Sequence, residues 1–374
     1  MVDRQEIVKL YPFPFTLRRL MIMRSMSSAA LALLLFVSLP ARAQQAPQQI
    51  DVSRLGPQAG QAVPDFRLQD AQGKVWTRDS IMGPKGAMLV FSRSVDWCPY
   101  CKTQVIELQS RLGELKAQGL GLAVITYDSP AILADFSRRR GITFPLLSDP
   151  GSQTIKAYGI LNTTVAAGTS NYGIPFPGTF LLDRAGKVTS RFFEEAYQER
   201  NTISTIMIAL GNAKTPAAAK RIETDHLEIT SYVSDEVVAP GSLFSVVLDL
   251  KPNAGIHVYA PGAKDYKIIN FRLDANPILS ARAMQYPASE IYHFKPLDER
   301  VPVFQKPFRL VQSIAVSTSP EARAALKTVD TVTITGTLEY QACDDRLCFT
   351  PRSIPVSYTV KVRQLDTERA TVPK

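Results

Sequence analysis

The sequence predicts an α/β domain built on a mixed sheet, followed by an all-β sandwich. Three observations lead there. The chain has 374 residues, 45% apolar and 21% charged, which suits two compact domains and excludes disorder, collagen or coiled coil as a description of the whole. Strand and helix signals alternate from Val63 to about Leu210. From about His226 onward, seven strand-like segments follow one another with turn-rich pieces between them.

At the amino end, Arg18, Arg19 and Arg24 precede a nine-residue apolar run, Ala29 to Val37. Ala41-Arg42-Ala43 then supplies the small-x-small pattern that a signal peptidase cuts after. The run is too short for a membrane anchor, which needs about 20 apolar residues. Residues 1–43 are therefore expected to be a secretory signal, with Met21 or Met23 as alternative starts. Residues 44–56 are polar and read as a flexible lead-in.

The α/β domain is expected over 57–211. Ala87–Phe91 is a continuous apolar run, as a strand buried on both faces requires. Val105, Leu108, Leu112 and Leu115 recur at helical spacing and predict one helix, ended by Gly119. Leu122–Tyr127 is a second buried strand. Ser129-Pro130 caps the next helix, which carries Ile132, Leu133 and Phe136 and stops near Gly141. Phe144–Leu147 is extended and Gln153–Tyr158 a short helix. Thr179–Asp183 turns through Arg184-Ala185-Gly186 into a hairpin partner, Lys187–Phe192, and a last helix runs from Gln198 to Leu210.

Residues 212–224 are a linker by composition. The sandwich is expected over 225–364, with strands at His226–Val233, Ser242–Leu250, Ile256–Tyr259, Ile269–Leu273, Leu310–Val316, Val329–Tyr340 and Ile354–Val362. A short helix fits Pro320–Leu326, and residues 365–374 read as a frayed tail.

Removing residues 1–43 takes away six basic and two acidic residues, so the net charge falls from +9 to +5. The longest basic run is Arg138-Arg139-Arg140, too short for a nucleic-acid footprint. No other long apolar stretch remains, so the mature chain is expected to have no membrane span and to be exported, in the periplasm, where disulfides persist.

The four cysteines form two local pairs, Cys98 with Cys101 and Cys343 with Cys348, about 240 residues apart. Cys98-Pro99-Tyr100-Cys101 joins a buried strand to a helix start. Unpaired N–H groups and the helix dipole there stabilise a thiolate, and the second cysteine lies one turn in, placed to resolve a mixed disulfide. This points to dithiol exchange. A structural disulfide is the blander alternative. A zinc site is disfavoured because His226, His257 and His293 all fall outside this domain, and no metal or cofactor is expected.

Val63-Pro64-Asp65-Phe66, Trp97–Cys101, Phe144–Asp149 and Pro177–Asp183 together resemble the redoxin branch of the thioredoxin superfamily, which includes the AhpC/TSA peroxiredoxins and TlpA-like oxidoreductases. The resemblance covers about 57–211 and implies a thioredoxin-like fold, with Cys98 attacking and Cys101 resolving. It also implies that Pro177 is cis and faces the cysteines, so that Phe176 and Pro177, with Trp97, Pro99 and Tyr100, form the substrate-docking wall. Two departures favour dithiol exchange over peroxide reduction. Val95 and Phe91 stand where peroxiredoxins carry their Thr and Pro, and Pro177 replaces their catalytic Arg. Ser92 occupies the place of the buried thioredoxin carboxylate, leaving Asp96 or water as proton acceptor.

Cys343 and Cys348 flank four residues, a spacing that fits a short hairpin loop, where facing strand positions lie within disulfide reach. A structural staple and a redox-active pair both remain open on spacing. Tyr340-Gln341-Ala342-Cys343 and Cys348-Phe349-Thr350-Pro351 resemble the amino-terminal periplasmic domain of the disulfide reductase DsbD. That resemblance is concentrated at 338–351 within 226–362. It implies an immunoglobulin-like sandwich and a redox-active second pair, with Tyr292-His293-Phe294 as candidate shield. The spacing of four rather than five, and Phe349-Thr350 for Tyr-Pro, bear on potential and partner choice.

The expected function is an exported thiol–disulfide oxidoreductase acting on protein thiols, disulfides or a thioredoxin-like partner, with a relay between its two pairs. Thiol-dependent peroxidase, an antioxidant acting on hydroperoxides, is one alternative. A binding or assembly protein with two structural disulfides is another.

Overall fold

The computed structural model describes residues 50–295 and 298–371; the expected signal, 1–43, lies outside them. Residues 48–374 group as one compact unit. The first half runs β1 (Arg67–Asp70), β2 (Val75–Thr77), β3 (Gly86–Phe91), α1 (Pro99–Ser110), α2 (Leu112–Ala117) and β4 (Leu120–Thr126). It continues through α3 (Pro130–Arg140), β5 (Leu146–Ser148), α4 (Gln153–Ala157), β6 (Gly178–Leu182), β7 (Val188–Phe193), β8 (Arg200–Asn201) and α5 (Ile203–Ala209).

Seven of these strands form one mixed sheet in the order β2-β1-β5-β4-β3-β6-β7. β3, β4 and β5 are parallel, while β6 runs antiparallel to β3. β3 shows why the sheet is central. Met88 and Val90 face one core with Val105, Leu133 and Phe136, while Leu89 and Phe91 face another with Tyr158 and Phe180. Alternation along a wholly apolar strand thus builds two cores, which is the thioredoxin-like three-layer arrangement. The single helix expected up to Gly119 is two, because Arg111 leaves helical geometry at φ −107°, ψ 8°. Gly141, at φ 63°, ends α3 where expected.

The second half is largely β. It contains β9 (Lys220–Glu223), β10 (Leu227–Val233), β11 (Val237–Val238), β12 (Ser242–Pro252), β13 (His257–Tyr259), β14 (Asn270–Leu273) and β15 (Leu279–Gln285). There follow β16 (Glu290–Phe294), β17 (Glu299–Phe304), β18 (Phe308–Val316), α6 (Pro320–Leu326), β19 (Thr331–Tyr340), β20 (Ala342–Cys343) and β21 (Arg352–Val362). The sheets β15-β18-β12-β10-β9 and β11-β21-β19-β14 share one core, with Phe244, Val246 and Leu248 of β12 meeting Ile334, Leu338 and Tyr358. A third sheet, β16-β17-β13-β20, carries the second cysteine pair.

Three departures from expectation matter for function. Lys220–Glu223, expected as linker, pairs with β10. Arg200–Asn201, expected inside a helix, pairs in parallel with Ser242 and Leu243 of β12. The reason is length: β12 has 11 residues and β10 only 7, so β10 pairs β12 from Val246 onward and leaves Ser242–Ser245 as an open edge, whose first two residues β8 pairs. The described end of the chain does not fray but docks on α1 and α3, as set out below. Among the described residues no helix is long and apolar enough to cross a membrane.

Candidate active site

Cys98 is the N-cap of α1, its backbone extended at φ −93°, ψ 100°, with Pro99 at the first helical position. Cys101 lies one turn in, at 5.3 Å between Cα atoms, and the two are disulfide-bonded. Both are buried, 1% and 0% exposed. The loop before them is pinned from the turn after β4: Asp128 accepts hydrogen bonds from Ser94 Oγ (2.8 Å), Val95 N (2.7 Å) and Thr126 Oγ1 (3.0 Å). Burial pushes the Asp128 carboxyl up to about 6 against those bonds.

Asp96, expected as a proton acceptor, is instead an anchor for the chain end. Its buried carboxylate accepts from Arg369 Nε (3.0 Å) and Nη2 (2.7 Å) and from Ala370 N (2.8 Å). The segment leading there is held at Leu365, Asp366 and Glu368. Leu365 packs against Cys98, Tyr100 and Cys101. Asp366 meets the buried Lys102 ammonium at 3.5 Å and Arg140 at 2.7 Å. The described part of the expected tail, 365–371, therefore lies against the redox pair through Leu365 and against its loop through Arg369.

A further group was not legible in the sequence. Arg200, buried at the start of β8, donates Nη2 to Cys101 Sγ at 3.2 Å and Nη1 to the carbonyls of Tyr197 and Glu199, both at 2.6 Å. Burial and the nearby Arg93 lower its guanidinium to about 9, opposed by Glu194. Its backbone N–H bonds Gly241 O at 2.8 Å, so the second half positions it. Gly241 must be glycine: at φ 86°, a Cβ would lie 2.4 Å from Gln198 O and 3.1 Å from Tyr100 Cδ1.

The predicted docking residues are placed differently from one another. Trp97 is half-buried, donates Nε1 to Tyr127 OH at 2.8 Å and lies under the Arg93 guanidinium, 5.0 Å from its ring. Pro99 is half-buried, whereas Tyr100 is buried against the second half and is occupied by that packing. Phe176 is half-buried and Pro177 buried; the Phe91–Gly178 register sets Pro177 beside Ser92 at the mouth of the cysteine loop. The cis bond implied by the resemblance is absent: no described residue has a cis peptide. The trans chain enters β6 straight from the Phe176 N–H bond to Ile160 O, 2.7 Å.

The second pair is built locally. Cys343 and Cys348 are disulfide-bonded across an antiparallel bridge, closed by Phe349 N to Ala342 O (2.9 Å) and by Asp344 Oδ1, which accepts from Arg346 N and Leu347 N at 2.7 Å. Cys343 is buried and Cys348 exposed. Tyr259 OH lies 3.0 Å from Cys343 Sγ and 3.3 Å from Cys348 Sγ, and Tyr266 stacks on its ring at 4.0 Å. Burial and Tyr266 raise the Tyr259 hydroxyl, which keeps its proton to donate. Tyr292, from the candidate shield, donates to Asp345 at 2.7 Å and lies tilted against His257, ring centroids 4.3 Å apart. Among the described residues, no group of three or more His, Cys, Asp or Glu is arranged to hold a metal ion.

Residues 59–191 match the model of the AhpC/TSA family. Alkyl hydroperoxide reductase E of Mycobacterium tuberculosis is 31% identical over 36% of this chain and 83% of its own length. The chain belongs to the AhpC/TSA family. The AhpC/TSA segment holds Cys98 and Cys101 but ends before Arg200, and the second cysteine pair lies outside it. The thiol–disulfide oxidoreductase ResA of Geobacillus thermodenitrificans is 29% identical over 34% of this chain and 66% of its own. Among solved structures, the thiol peroxidase of Chromobacterium violaceum aligns at 26% identity and a TM-score of 0.36, over 42% of this chain and 89% of its own.

Proposed function

We propose that this AhpC/TSA protein is an exported, periplasmic thiol–disulfide oxidoreductase that exchanges protein dithiols and disulfides through Cys98 and Cys101. One observation carries the reading: two cysteines within disulfide reach at a strand-to-helix junction, the first at the helix N-cap. Cys98 would attack and Cys101 resolve. The test is the reduction potential of the pair, since exchangeable bonds sit above about −300 mV and structural ones below. A Cys98–Cys101 value below that bound would reduce the pair to a staple.

Cys343–Cys348 belongs to the same reading as a second, DsbD-like redox pair in an immunoglobulin-like sandwich, relaying electrons to the first. Its support is the Tyr-Gln-x-Cys motif together with an exposed Cys348 and a tyrosine hydroxyl on both sulfurs. Trapping with Cys101→Ser should yield an intramolecular mixed disulfide to Cys343 or Cys348. Purely intermolecular adducts would remove the relay.

Peroxide reduction is the second reading, favoured by the match to alkyl hydroperoxide reductase E. Consumption of hydrogen peroxide under a thiol reductant, lost in Cys98→Ser, would establish it.

A further inference from the structure

Cys101 is the sulfur that leaves when the disulfide opens at Cys98, and a buried positive charge faces it. We propose that Arg200 is a catalytic residue of this centre, delivered by the pairing of β8 with β12, and that it holds the Cys101 sulfur as a thiolate. The inference rests on the exchange reading above and adds a residue from outside the AhpC/TSA segment.

The geometry is specific. Two carbonyls take Nη1, Nη2 is aimed at Cys101 Sγ, and Nε has no hydrogen-bond partner among the described residues. A disulfide sulfur is a weak acceptor, and a buried guanidinium is costly unless an anion meets it. A thiolate at Cys101 supplies that anion, so the oxidised pair leaves Arg200 under-compensated and the reduced pair satisfies it. The backbone on either side is fixed by β12, through Arg200 N to Gly241 O at 2.8 Å and Thr202 N to Leu243 O at 3.1 Å. The other charges near this centre include Arg93 and Glu194 beside Arg200, Asp128 under the cysteine loop, Asp96 held by Arg369, and Lys102 held by Asp366. Asn201 Nδ2 donates to the Glu194 carboxylate at 2.5 Å.

In the reductive direction a thiolate of an external dithiol attacks Cys98 Sγ. The Cys98–Cys101 bond breaks, and Cys101 leaves with the bonding pair as the thiolate that Arg200 holds. The second thiolate of the dithiol then displaces Cys98 and closes the dithiol's own disulfide. Two electrons pass to the pair, and the dithiol's two protons pass to Cys98 and solvent. In the oxidative direction the same Cys101 thiolate attacks the mixed disulfide at Cys98.

The experiment equilibrates the full chain with reduced and oxidised dithiothreitol and reads each pair separately by alkylation and peptide mass spectrometry. Arg200→Met should shift the Cys98–Cys101 equilibrium at least tenfold towards the disulfide, about 30 mV for a two-electron couple, and leave Cys343–Cys348 unmoved. Arg200→Lys, which restores the charge, should recover part of the shift, as a purely structural role would not. An Arg200→Met equilibrium within twofold of wild type overturns the inference. If that variant does not fold, the thiolate absorbance of Cys98→Ser decides: Cys101 should titrate below the ordinary thiol value of about 8.5, and a value at or above it is equally fatal. A wild-type pair that dithiothreitol never reduces fails the exchange reading and this inference together, whereas a pair that exchanges but ignores Arg200 fails the inference alone.

Discussion

The two cysteine pairs are both local in sequence, yet they are built in opposite ways. Around Cys98–Cys101 stand Asp128 from the loop after β4, Arg200 from β8, Leu365 and Arg369 from the chain end, and Gly241 from the turn before β12. Both sulfurs are enclosed by that assembly. Cys343–Cys348 needs only its own hairpin and the facing strand β13, and one of its cysteines is exposed. An enclosed pair reacts after a local opening and is tuned by distant residues; an exposed one is tuned by its immediate neighbours.

That contrast can be broken in several places. The largest effect is expected from Cys98→Ser, which should cut dithiol exchange by the first pair at least about 100-fold, while Cys348→Ser leaves the intrinsic reduction of Cys98–Cys101 by dithiothreitol intact. Equal losses in the two variants would mean that the pairs act as one centre. Next comes the cover. Truncation after Gln364, or Arg369→Ala, should speed alkylation of reduced Cys98 about tenfold, the equivalent of about 1.4 kcal/mol of opening free energy, with Cys348 unchanged. An unchanged Cys98 rate would show that Leu365 and the Asp96–Arg369 pair do not limit access.

Tyr259→Phe sharpens the other side. It removes one donor that strengthens towards a thiolate, a net contribution of about 0.5–1.5 kcal/mol. The Cys343–Cys348 equilibrium should therefore move a few-fold towards the disulfide, with Cys98–Cys101 fixed as internal control. Movement of both pairs in the dithiothreitol titration would contradict the local character assigned to the second.

The smallest effect concerns the junction that delivers Arg200. Glu107 accepts from Ile203 N at 2.9 Å, just after β8, and burial with the nearby Asp235 pushes its carboxyl up to about 7. A raised folded-state value means the folded protein keeps a proton that the unfolded chain releases. Stability should then fall as pH rises from about 4.5 to about 7 and level off above. Glu107→Gln should flatten that decline, whose slope is at most about 1.4 kcal/mol per pH unit, in chemical denaturation at several pH values. A variant with the wild-type slope would remove Glu107 from the account.

Legibility followed the range of the contacts. The apolar run at Ala87–Phe91, the Ser129-Pro130 helix start and Gly141 declare themselves within a few residues, and they appear as β3, α3 and its αL cap. β15 and β16 carry little signal in the sequence, because both are mostly exposed and show little core-facing alternation. The last helix, expected from Gln198, starts only at Ile203, where Thr202 caps it by accepting from Thr205 N. Arg200, two residues earlier, carries no local mark, since its burial depends on an open edge 42 residues away.

Sequence by itself determined that there are two dithiols, that the first sits at a strand-to-helix junction, and that the halves differ in secondary structure, because spacing, capping and periodicity are properties of short windows. Only the tertiary structure decided that β8 completes the edge of β12, that Arg200 meets Cys101, and that residues 365–371 close over the pair. Those contacts join positions about 40 to 270 residues apart, beyond the reach of any short window, and the first exists because strands of unequal length leave a hydrogen-bonding edge that a distant segment must fill.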